Sequence, residues 1–128
     1  MDCVFCKIIK REIDSEIIYE DKEVLVFLDI NPNTNGDTLI VPKRHYKDMF
    51  EVPRRLLSHI EELYKKLYVI YKEKLHCDGL TLTTNFDYGQ EIKHFHMHFI
   101  PRYKNDEVKY LSNKAILKDI KEIKELLK

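Results

Sequence analysis

The 128-residue sequence predicts an α+β fold: a mainly antiparallel five-stranded sheet with one long central helix and a C-terminal helix. Five short segments are strand-like in composition, and residues 54–75 repeat apolar side chains at helical spacing. No regular strand–helix–strand alternation runs through the chain, which argues against a parallel sheet.

Taken in order, Phe5–Lys10 suits a short helix, and Glu16–Tyr19 and Val24–Leu28 suit two strands joined by the polar turn 20–23. In the second strand side chains alternate, so Leu25, Phe27 and Asp29 share a face. Residues 31–36, rich in Asn, Pro and Gly, form a loop. Thr38–Val41 follows as a strand that Pro42 stops, and Pro53 sits in the first turn of the next helix, where its missing N–H costs little. Leu56, Ile60, Leu63, Leu67 and Ile70 define an amphipathic helix from Arg54 to Leu75, ended by Asp78-Gly79. Leu80–Asn85 and Ile92–Ile100 are the last two strands. Ile116, Ile120, Ile123 and Leu127 place a stripe on a closing helix expected to pack against the body.

Length suits one domain spanning 1–128, and the 44% hydrophobic content suits a folded one. Lysine plus arginine and aspartate plus glutamate both number 22, which removes the bulk electrostatic reason to expect a nucleic-acid polymer as partner. No apolar run reaches membrane-span length and residues 1–10 lack the features of a signal peptide, so the expectation is a cytoplasmic protein without membrane attachment. In a reducing compartment its three cysteines read as thiols or metal ligands. Cys77 lacks a partner, and His59 and His76 read as helix-surface residues.

The informative stretch is 94–101, His-Phe-His-Met-His-Phe-Ile-Pro. On a strand His94, His96 and His98 share one face, and Phe95, Met97 and Phe99 the other. The aromatic face is ordinary core; three imidazoles crowded together need partners and mark a site. From spacing alone two readings stand. Either the row binds a metal and leaves a position open for water, or one imidazole is a nucleophile oriented and assisted by its neighbours.

The row, followed by two apolar residues, resembles the defining motif of the histidine-triad (HIT) superfamily. Agreement extends to Cys3–Ile9, to Phe27–Pro32, to Leu39–His45, and to Asn85 and Gly89-Gln90, covering about residues 3 to 103. The resemblance implies nucleotide chemistry. His96 would attack the α-phosphorus of a purine nucleotide and form a nucleotidyl-imidazole intermediate that water hydrolyses to a nucleoside monophosphate. His98 would assist proton transfer, and the His94 carbonyl would hold the His96 ring. Asp29 would bind the ribose hydroxyls, Asn85 and Gln90 the phosphates, and Phe5, Ile8, Phe27, Ile30 and Leu39 the base. Substrates of this kind are dinucleoside polyphosphates or nucleoside phosphoramidates; Pro101-Arg102 resembles branches acting on the former. The alternative function is a nucleotide-sensing module without catalysis. Relatives usually form two-fold homodimers.

Two positions depart from the pattern. Asp37 stands in Gly36-Asp37-Thr38-Leu39 where many relatives carry histidine, and Glu91 stands where several carry Ser or Thr. A carboxylate can still orient an imidazole. Finally, Cys3-x-x-Cys6 has zinc-compatible spacing. In relatives with this pair, histidines matching His45 and His94 complete a structural Zn²⁺ site.

Overall fold

A computed structural model describes residues 2–108 and 118–128. Helix α1 (Val4–Ile9) leads into strands β1 (Ile17–Glu20), β2 (Val24–Leu28) and β3 (Thr38–Pro42). A 3₁₀ turn at Met49–Glu51 precedes helix α2 (Arg54–Leu75), which is followed by β4 (Gly79–Thr83), β5 (Met97–Arg102) and helix α3 (Ile120–Leu126). The five strands form one sheet in the order β1-β2-β3-β5-β4, antiparallel at each junction.

Strand β2 explains how the layers are built. Val24 to Phe27 are all buried, because each face of the sheet is covered by a different helix. Val24 and Val26 join Ile40 and Phe99 beneath α2; Leu25 and Phe27 join Leu39 and Val41 beneath α1. The α2 layer is pinned by polar contact as well: Tyr71 and Thr38 share a hydroxyl–hydroxyl hydrogen bond of 2.8 Å.

Helix α2 spans the residues expected of it, but its buried stripe is Leu56, Ile60, Leu63, Leu67 and Tyr71. Ile70 is exposed, since the step from Leu67 to Tyr71 is one full i,i+4 turn and Ile70 lies off that line. Pro53 occupies the N-cap, one residue before the helix proper. The stop comes earlier than Asp78-Gly79: His76 takes the left-handed conformation at φ 57° and reverses the chain. Pro42 is the last residue of β3, not the residue after it.

Helix α3 corrects an expectation. Ile120, Ile123, Leu126 and Leu127 are all exposed, so the described residues of this segment do not pack on the sheet, and Ile116 lies outside the described residues. The helix is only seven residues long and richly charged, which leaves too little apolar surface to dock.

Candidate functional site

The three histidines project toward the α1 side of the sheet, opposite the buried Phe95 and Phe99 that face α2. They do not all lie on a strand. β5 begins at Met97, whereas the alternating pattern predicts extension from Ile92. The reason is local. The His96 ring donates Nδ1–H to the His94 carbonyl at 2.8 Å, and the Phe95 N–H donates to the Tyr46 carbonyl at 2.6 Å. These bonds engage backbone groups that a regular ladder would pair.

The His94 carbonyl fixes the tautomer of His96. With Nδ1 protonated, Nε2 carries the free lone pair. Burial pushes the His96 pKa below the usual imidazole range, the hydrogen bond to His94 opposes this, and the neighbouring His98 charge lowers it further. The ring is therefore neutral near pH 7, as a nucleophile must be. His98 lies with its ring centroid 4.8 Å from that of His96, and the Phe5 ring packs edge-on against His96 at 4.9 Å.

His96 and His98 open onto a cleft of about 520 Å³, a size suited to a small organic ligand. Phe5, Ile8, Phe27 and Leu39 form its apolar wall, and Ile30 sits at the rim, largely exposed. Asp29 lines the same cleft; its Oδ1 accepts the Asn31 N–H at 2.9 Å, so this oxygen caps the loop. Asn85, Gly89 and Glu91 also line the cleft, and the Glu91 charge acts on His96.

Gln90 lies between the cleft residues Gly89 and Glu91; it is buried, and one N–H of its Nε2 donates to the Lys47 carbonyl at 2.6 Å, which ties its amide to the backbone after β3. Arg102 is engaged outside the cleft by a two-pronged pair with Asp106 at 2.8 Å and by Thr81 at 3.1 Å. His59 is not a simple surface residue, since its Nε2 meets Asp21 Oδ2 at 2.6 Å. Cys77 is buried against α2 and β4 core side chains.

The sequence reading missed Ile13, Asp14 and Ser15, which line the cleft from the segment between α1 and β1. Their position directly after a helix that carries two wall residues was the available signal. The Pro42 carbonyl was equally unforeseen. It accepts the His94 Nε2–H at 2.8 Å, and a backbone oxygen leaves no trace in residue identity.

Cys3, Cys6, His45 and His94 form a second constellation, with one ligand atom from each lying within 4.8 Å of all the others. Helix α1 supplies Cys6, and its N-cap Cys3 turns the Sγ inward. The His94–Pro42 bond protonates Nε2 and frees Nδ1, which lies 3.5 Å from Cys3 Sγ and 3.6 Å from Cys6 Sγ. Cys6 Sγ is 3.4 Å from His45 Nδ1, and the two Nδ1 atoms are 3.0 Å apart. A tetrahedron with Zn–N near 2.0 Å and Zn–S near 2.3 Å has edges of about 3.3–3.8 Å. The donor set thus fits a metal such as zinc. Burial, together with the neighbouring His45 and His96, pushes His94 down to about 4 against the opposing Pro42 bond, so the ring stays neutral and able to ligate.

An antiparallel α+β sheet with a histidine row in an apolar-walled cleft, backed by a Cys₂His₂ donor set, defines a class of small-ligand-binding protein. The HIT domain family profile matches residues 10–105, and the chain belongs to that family. Members are in general nucleotide-binding hydrolases or transferases. The chain is 44% identical over 128 residues to the uncharacterized HIT-like protein MJ0866 of Methanocaldococcus jannaschii, covering 93% of this chain and 98% of that one. It is 37% identical over 110 residues to the adenylylsulfatase HINT3 of Arabidopsis thaliana, covering 82% of this chain and 54% of that one. Among solved structures, a Zn-bound histidine triad family protein from Mycobacterium smegmatis superposes with a TM-score of 0.79 at 32% identity, covering 99% of this chain and 91% of that one.

Proposed function

We propose that residues 1–128 form a single HIT domain that cleaves purine dinucleoside polyphosphates or nucleoside phosphoramidates at the α-phosphate. The observation that carries this reading is the neutral His96 ring, its tautomer held by the His94 carbonyl, at the wall of a cleft that also contains Asp29. The base stacks among Phe5, Ile8, Phe27, Ile30 and Leu39, and the second carboxylate oxygen of Asp29 accepts a ribose hydroxyl. His96 Nε2 displaces the leaving group from phosphorus, His98 protonates that group, and Asn85 donates to phosphate oxygens. Water then cleaves the labile P–N bond and releases the nucleoside monophosphate, so one difficult displacement becomes two easier ones. Cys3, Cys6, His45 and His94 hold a structural Zn²⁺, whose contribution is to tie α1 to the strand ends that carry the histidines. The name of the Arabidopsis relative supports an adenylyl substrate. We also read the protein as a cytoplasmic homodimer; no helix among the described residues is long and apolar enough to cross a membrane.

Trapping tests the scheme. Brief incubation with adenosine phosphoramidate or a diadenosine polyphosphate should leave one nucleotidyl group on His96, detected by mass spectrometry after a non-acidic quench. His96→Ala should abolish the adduct and lower turnover by at least about 10³-fold. Undiminished turnover by that variant refutes the scheme, and tight nucleotide binding with no adduct and no turnover would favour the sensing module.

A further inference from the structure

Asp37 has no part in the scheme above, yet it is 1% exposed and borders the histidine row. Its Oδ2 accepts two hydrogen bonds from Asn33, from the backbone N–H at 2.8 Å and from the side-chain amide at 3.1 Å. Its Oδ1 is buried and has no hydrogen-bond partner among the described residues. A carboxylate oxygen in that condition is costly unless some donor is meant for it.

The sheet register names the donor. Asp37 immediately precedes β3, and its carbonyl accepts the Asp29 N–H at 3.0 Å, which keeps it in line with the ladder. Leu39 pairs with His98 across β3 and β5, so by alternation Asp37 projects to the face of Leu39 and His98, with His98 as its diagonal neighbour. The charged and titratable groups facing this corner are Asp29 from the loop after β2, His98 from β5, and His96 beyond it. Burial pushes the Asp37 carboxyl up, the Asn33 bonds and the His98 charge pull it down, and Asp29 adds to the upward push. His98 is the group in this set able to donate a hydrogen bond to the carboxylate.

We propose that Asp37 is a positioning residue: when the His98 ring turns toward it, its unpartnered Oδ1 accepts Nδ1–H of His98, so that the opposite nitrogen, Nε2, presents the proton the leaving group takes. The proposal rests on the nucleotidyl-transfer reading and extends it. As His96 Nε2 bonds to phosphorus, the bond from phosphorus to the leaving atom breaks, and its electron pair stays with that atom. The leaving atom takes the proton from His98 Nε2. In the second half, His98 accepts a proton from the attacking water while the P–N electrons return to His96, which restores both rings. The carboxylate stays ionised throughout. Its task is to hold the His98 ring with Nε2 toward the leaving atom.

The experiment compares wild type with Asp37→Asn on two adenylyl substrates, a phosphoramidate and a p-nitrophenyl ester, across pH 5 to 9.5. The ester's leaving group needs no proton, so a loss confined to the phosphoramidate reports on positioning of the acid. Asp37→Asn should lower the rate of the first turnover of the phosphoramidate about ten-fold or more. KM, and the first-turnover release of p-nitrophenolate from the ester, should stay within about two-fold. Equal losses in the first turnover of both substrates overturn the proposal. Ring-nitrogen NMR of His98 in the wild-type protein decides the pair independently of any variant. An Nδ1-protonated tautomer supports it, and an Nε2-protonated tautomer overturns it. If wild type turned over neither substrate, the nucleotidyl-transfer reading would fall, while the NMR result would still judge the Asp37–His98 bond.

Discussion

His94 and Pro42 are joined by a hydrogen bond from the ring Nε2–H to the backbone carbonyl, 2.8 Å long, and this bond makes Nδ1 the free nitrogen that faces Cys3 and Cys6. One histidine thereby serves two neighbours at once: its ring belongs to the Cys₂His₂ donor set and its carbonyl orients His96. The purified protein should contain one zinc per chain, measured by elemental analysis. Cys6→Ser should lose most of that metal and His98→Ala should keep it. Chelation should lower the melting temperature by more than about 10 °C, since metal bound only by the native state adds directly to folding free energy.

Gln90→Ala separates anchoring from phosphate binding. With its Nε2 held by the Lys47 carbonyl at 2.6 Å, truncation should destabilise the fold by about 1–3 kcal/mol in denaturant titrations. Nucleotide affinity should fall no more than two- to three-fold beyond what that loosening explains. A loss of a hundred-fold or more in affinity at unchanged stability would return Gln90 to the phosphate site.

Asp21 should set the acid limit of stability. Burial disfavours its charge, but hydrogen bonds from His59, the Glu23 and Val24 N–H groups and the Tyr19 hydroxyl outweigh this and hold its pKa at about 2. The native value lies below the unfolded one near 3.8, so the stabilisation is fully present above about pH 4 and is lost as pH falls through 2. Equilibrium unfolding should show up to about 2 kcal/mol lost across that window, and Asp21→Asn should flatten it.

Gly36→Ala should be disproportionately damaging for so small a change. Gly36 has φ +92°, and an added Cβ would lie 2.6 Å from Leu75 Cδ1 and 3.2 Å from Pro101 Cγ. The Leu75 side chain can move aside, but the backbone strain remains, at about 1–2 kcal/mol. A melting temperature unchanged within a degree would contradict this.

Much of this architecture was legible because its signals are periodic. The spacing of Leu56, Ile60, Leu63 and Leu67 returned helix α2 at its observed bounds, and an apolar β-branched and aromatic run after a polar turn returned β2 at Val24–Leu28. The face shared by the histidines was legible for the same reason. Periodicity failed where backbone groups bond outside the ladder. The ring-to-carbonyl bond of His96 delays β5 to Met97, and no residue type announces such a bond. The bond from Gln90 to the Lys47 carbonyl was equally silent in the sequence, because a motif position specifies a residue and not the direction of its amide. The exposed stripe of α3 shows the remaining limit, since amphipathic spacing indicates a face able to be buried without supplying the surface that buries it.

Helix α1 sends Cys6 toward the donor set while Phe5 and Ile8 form one wall of the cleft, within a six-residue stretch. Those few residues make too little contact to hold their place unaided. If the donor set holds zinc as proposed, a newly made chain that has not captured its ion would keep an intact sheet and histidine row but lack the surface against which a base can stack. Under the proposed function, competence would then be conditional on metal supply, and starvation for the ion would silence the molecule without unfolding it.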